Sequence, residues 1–126
     1  MASEYGIATV SELETQSSRD YSTYAPVSGT SRYTDDIVEG QITVAERMVI
    51  AEAHKIYGSD APVLDGIKVC VLKIAEIRME NLLIKDRFLD GEIIDDYIYF
   101  QTYLKDTLAK PKRTNYLIGF QSVEDV

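Results

Sequence analysis

The stretch Asp65–Phe88, DGIKVCVLKIAEIRMENLLIKDRF, decides how this chain is read. Ile67, Val69, Cys70, Val71, Leu72, Ile74, Ala75, Ile77, Met79, Leu82, Leu83 and Ile84 crowd into it. At about 100° per residue, Lys73, Glu76 and Glu80 fall on one narrow stripe, and apolar residues take most of the remaining circumference. The pattern predicts a helix wetted along one strip and packed on at least two sides, the middle layer of the fold. Asp65 suits the N-cap, Gly66 is tolerated in the first turn, and Lys85 and Arg87 suit the negative end of the helix dipole.

Upstream, Thr43-Val44-Ala45-Glu46 matches a capping box, in which the threonine hydroxyl and the glutamate carboxylate satisfy each other's backbone amides. It predicts a helix Val44–Tyr57 that stops at Gly58 and is followed by a Ser59–Leu64 loop containing Pro62. A shorter turn, Asp35–Gln41, is expected behind Thr34, ended or bent by Gly40. On the longer helix, Ala45, Met48, Val49 and Ile56 share one face, and Ile50, Ala53 and Tyr57 share another about 100° away. Two apolar faces ask for two partners, so Ile50, Ala53 and Tyr57 are expected at contacts between subunits.

The first 33 residues are rich in Ser and Thr, carry Tyr5, Tyr21, Tyr24 and Tyr33, and contain the breakers Gly6, Pro26 and Gly29. They read as an extended arm, with one or two helical turns at Val10–Gln16 behind Ser11, where Glu14 completes a capping pair. The tyrosines, with Ile7, Val10, Leu13 and Val27, leave two readings open, a disordered tail or an arm that orders on a partner subunit.

Downstream, Asp90-Gly91 signals a turn, and Ile93, Tyr97, Phe100, Leu104 and Leu108 recur at steps of four, three, four and four. This predicts a third amphipathic helix over Glu92–Leu108, with Tyr99 and Tyr103 forming an aromatic patch off the core stripe and available to another subunit. Pro111 ends it. In the following tail, Tyr116, Leu117, Ile118, Gly119 and Phe120 form a short run of β-formers between Lys112-Arg113 and Glu124-Asp125. A lone strand has no partner in its own chain, so Tyr116, Leu117, Ile118 and Phe120 are expected to dock on another protein by adding to a sheet edge. The fold class is therefore all-α: a small bundle over residues 34–110, an extended arm over 1–33 and a docking tail over 111–126.

A chain of 126 residues is about one domain. Its net charge of −8 argues against a general nucleic-acid binder, whose phosphate contacts call for clustered Lys and Arg. His54 is the sole histidine and Cys70 the sole cysteine, which removes Ser-His-Asp, Cys-His, most zinc arrangements and any intramolecular disulfide. Asp35-Asp36 and Asp95-Asp96 are adjacent pairs whose side chains diverge on a helix, so helix-start charge explains them better than a metal. No phosphate loop, repeat, h-region or membrane-length apolar run is present in the sequence. The nine tyrosines lack interleaved Arg or Lys, which favours protein contacts over base stacking. No enzyme activity, cofactor or metal is expected, and the chain reads as soluble and unsecreted.

The order of parts resembles one family. A leader Tyr33-Thr34-Asp35-Asp36-Ile37-Val38-Glu39-Gly40, a helix Thr43–Tyr57 with a proline loop, the long helix Asp65–Phe88, a third helix and an apolar tail are similar to the small helical head-tail adaptor, or connector, proteins of tailed phages and related viruses. The likeness covers about Tyr33–Phe120 and is architectural, because that family has no catalytic motif. It implies a homo-oligomeric ring, commonly a dodecamer, beneath the portal protein, extending the channel through which DNA passes without specific contact, and joined to other neck or tail proteins. By the same resemblance the helices form the ring body, Tyr116–Phe120 is the docking tail, and the protein resides in the virion neck after assembly in the host cytoplasm. The long N-terminal arm departs from the family's compact start. Two other readings stay open: a small helical regulator of one protein partner, and a small-terminase-like DNA-packaging component, which would need a basic recognition helix.

Overall fold

The computed structural model describes residues 3–25, 32–58 and 65–109. Among them the structure is helical and contains no strand. The order is α1 (Val10–Ser17), a 3₁₀ turn (Tyr21–Thr23), α2 (Asp35–Tyr57), α3 (Asp65–Lys85), and then α4 (Asp96–Tyr99), a π-helical segment (Phe100–Leu104) and α5 (Lys105–Ala109), which follow one another without a break as a single rod.

Helix α3 is the centre, as its all-round apolarity predicts. It touches α1, α2, α4, the π segment and α5, and it buries Ile67, Cys70, Val71, Ile74, Ala75, Ile77, Met79 and Leu83. It ends at Lys85, three residues before the expected Phe88. Arg87 adopts φ 70°, and the Phe88 and Arg87 amides donate to the carbonyls of Leu83 and Ile84, the paired bonds of a Schellman stop. Gly66 does more than survive in the first turn. A Cβ there would lie 2.8 Å from the Thr107 carbonyl oxygen, so the missing side chain lets α3 and α5 meet backbone to backbone.

Helix α2 corrects the upstream reading. One helix runs through Asp35–Tyr57, and Gly40 does not end it. Val38, Ile42, Ala45, Val49 and Ala53 are buried at steps of three and four, so a single apolar stripe spans the glycine. Continuing the stripe outweighs the roughly 1 kcal/mol that an internal glycine costs. Thr43 and Glu46 therefore lie mid-helix, and no capping box forms there. The capping box is at Thr9 and Glu12, at the head of α1: the Glu12 amide donates to Thr9 Oγ1 at 3.1 Å and the Thr9 amide to Glu12 Oε1 at 3.0 Å.

The expected extended arm is folded onto the body in its described part. Leu13 and Tyr21 are fully buried in the common core, and Ala8 nearly so. The strip on α3 expected to face water is their anchor. Gln16 Nε2 donates to Glu76 at 2.8 Å, Arg19 grips Glu80 through Nε at 2.6 Å and Nη2 at 3.1 Å, and Lys68 pairs with Glu12 at 2.5 Å. Lys68 holds the Glu12 carboxyl below its ordinary pKa, and Glu80 raises that of Arg19.

Glu46 completes the attachment. Its carboxylate is fully buried and accepts from the Ser3 hydroxyl at 2.6 Å, the Tyr5 amide at 3.1 Å and the Ile7 amide at 2.9 Å. Ser3–Ile7 wraps around it as a tight hook, turning at Gly6 with φ 64°. Outside the hook, Glu4 pairs with Arg47 at 2.7 Å in an exposed position, where such a bond adds little.

The third helix starts later than expected. The Asp95 carboxylate accepts from the Ile98 amide at 3.0 Å and caps α4, so Glu92–Ile94 lie outside the helix. The buried residues of the rod are Phe100, Leu104 and Leu108, each four apart. A regular α-turn would rotate such a series off one line, and the wider π turn keeps it facing α3.

Candidate interaction surface

A groove lies where α2, α3 and the start of α4 converge. It is open, encloses about 260 Å³, and is lined by Gln41, Arg78, Asn81, Leu82, Lys85 and residues 93–96. Arg78 holds its three walls together, donating from Nε to Gln41 Oε1 at 2.8 Å and from Nη1 to Asp96 Oδ2 at 2.6 Å. Asn81 fixes the strand-like approach to α4 by two bonds to Ile94, donating to its carbonyl at 2.7 Å and accepting from its amide at 3.0 Å. Arg78, Gln41, Asn81 and Asp96 in the lining are therefore engaged in bonds within the fold.

Along its rim the chain presents Ile93, Ile94, Tyr97 and Ile98 to solvent, with Ile98 60% exposed. Four large apolar side chains within six residues form a ridge of the kind that marks a protein contact. Asp90, Glu92 and Asp95 flank it, all exposed, and Asp90 and Glu92 make no ion pair among the described residues. The ridge was not expected from the sequence, because starting the helix at Glu92 puts Ile93 and Tyr97 on the core stripe. The signal was Asp95 itself, a better N-cap than Glu92, which leaves Ile93 outside the helix.

The residues expected between subunits are distributed differently. Ala53 is fully buried in its own chain's core, and the Tyr57 hydroxyl donates to the Leu108 carbonyl at 2.9 Å, so the second face of α2 is covered by α5 of the same chain. Ile50 is half-buried against the core. Tyr99 also packs there, with its ring 4.9 Å from that of Tyr103, and Tyr103 is 66% exposed. Of the five, Tyr103 alone offers most of its surface to a partner. Tyr116, Leu117, Ile118 and Phe120 lie outside the described residues.

The residues weighed for chemistry have structural surroundings. Cys70 is buried, its thiol donates to the Leu104 carbonyl in the π segment, and burial pushes its pKa up to about 11. His54 is exposed on α2. Asp95 caps α4 and Asp96 binds Arg78, so the adjacent carboxylates point to different tasks. Among the described residues no group of His, Cys, Asp or Glu is placed to hold a metal ion, and no helix is long and apolar enough to cross a membrane. No family model, curated protein or solved structure matches this chain.

Proposed function

We propose that this chain is a structural assembly subunit, a head-tail adaptor that forms a ring under a viral portal and links head to neck. The observation that carries the reading is the exposed ridge Ile93, Ile94, Tyr97 and Ile98 on a molecule whose other apolar stripes are largely covered within the chain. Such a ridge is stabilised by protein contact and is a liability without one. The net charge of −8 agrees with a subunit past which DNA moves without adhering.

In this reading the helical body is the ring wall, and Tyr116–Phe120 reaches beyond its own body. Imaging the purified full-length protein by electron microscopy, alone and with a portal assembly, tests it. Closed rings of uniform diameter that seat on the portal are expected. A strict monomer at high concentration that gives no ring with a portal would leave the alternative of a small helical regulator of one protein partner.

A further inference from the structure

We infer that Ser3–Ile7 is a clasp that opens and closes on the Glu46 carboxylate while the helical body stays folded. The hook has the build of a carboxylate-binding nest. Gly6, at φ 64°, turns the chain so that the Tyr5 and Ile7 amides on either side of it converge on one anion, and the Ser3 hydroxyl adds a third donor. Bonds of this kind to a charged acceptor are stronger than neutral ones, so a five-residue segment can close on a single side chain.

The clasp and the helix that follows it are anchored separately. Among the described residues, the bonds from the hook to another element run to one turn of α2: to Glu46, from the Glu4 amide to Thr43 Oγ1 at 3.0 Å, and from Arg47 to the Glu4 carboxylate. Helix α1 is tied by its side chains to α3 instead, through Glu12 to Lys68 and Gln16 to Glu76, with Arg19 on Glu80 just past its end. Its own capping box, Thr9 and Glu12, starts it without help from the hook. The hook can therefore lift from α2 without pulling α1 from α3. Its outer side is already wet, with Glu4 and Gly6 exposed and Tyr5 49% exposed. When it lifts, water takes the place of the three donors at Glu46, so opening strands no buried charge. Closed, the clasp hides Ile7 and the Glu46 carboxylate; open, it offers both at the surface beside Thr43 and Arg47.

Native-state hydrogen exchange of the full-length protein, followed amide by amide in urea below the unfolding transition, tests the proposal. A segment that opens alone exposes little surface and exchanges at rates that hardly respond to urea, whereas amides freed only by global unfolding follow the denaturant slope. The Tyr5 and Ile7 amides are expected to take the urea-insensitive route and to exchange faster than those of Val71 and Ile74 in α3. Glu46→Gln should speed both hook amides by about tenfold or more. Gly6→Ala should speed them about tenfold through the cost of the left-handed turn. Its new Cβ would meet nothing within 4 Å, so it reads the clasp even if Glu46→Gln loses helicity. Tyr5 and Ile7 amides that share the protection and the urea slope of α3 would overturn the inference, making the hook part of one cooperative unit. Hook amides no faster in either variant would overturn it as well, since neither the carboxylate nor the turn would then hold the segment shut.

Discussion

Glu46 illustrates how one buried side chain can decide the course of a distant segment. Three donors from Ser3, Tyr5 and Ile7 converge on its carboxylate, and the hook they form is held in place without a helix or strand of its own. Replacing Glu46 with Gln leaves one oxygen for three donors and turns an amide donor toward them. The expected loss is about 1–3 kcal/mol, read as a lower denaturant midpoint with an unchanged slope. Tyr21 gives a second test. Its hydroxyl donates to Ser17 Oγ at 2.9 Å, and burial pushes its pKa from 10.0 up to about 12. Folding thus favours the neutral phenol, and this contribution is complete below about pH 10 and is lost as pH rises toward 12. Melting temperature should fall between these values, and Tyr21→Phe should make that fall shallower. Neither role could be read locally. Glu46 and Ser3 are separated by 43 positions, and the Thr43–Glu46 spacing carried a convincing local alternative that lost to the continuous stripe from Val38 to Ala53.

At the scale of elements, legibility follows the strength of the apolar pattern. Helix α3 was readable because almost every side around Ile74 is apolar, and the stop of α2 because Gly58 interrupts a long pattern. Phe100, Leu104 and Leu108 were readable as a core stripe, but not the π turn that keeps them aligned, since spacing alone does not report turn width. The meaning of Gly66 was hidden for a different reason: its neighbour is Thr107, on an element far along the chain. Gly66→Ala should force α3 and α5 apart, because the new Cβ meets backbone that cannot rotate away. A loss of about 1–3 kcal/mol is expected, against a small gain if helix propensity alone governed the site. Thermal melts of the two chains decide between these opposite signs.

At the scale of the molecule, α1 in the arm, α2 and the rod pack around α3. The apolar faces expected to be spare are mostly used inside one chain: Ala53 in the core, Tyr57 against Leu108, and the arm's own Leu13 and Tyr21 in the core. Among the apolar side chains left exposed, Ile93, Ile94, Tyr97 and Ile98 stand together at the start of the rod, apart from single ones such as Val69 and Tyr103. Function was legible in the sequence only as a tendency to associate, because assembly surfaces carry no spacing rule comparable to that of a catalytic set. The most direct test of the central claim is sedimentation of the full-length protein across a concentration series, paired with Ile98→Asp. Ring assembly through the ridge predicts discrete multimers for the unsubstituted chain and monomers for the variant at equal helicity. Monomers throughout, or multimers that persist undiminished in Ile98→Asp, would contradict it.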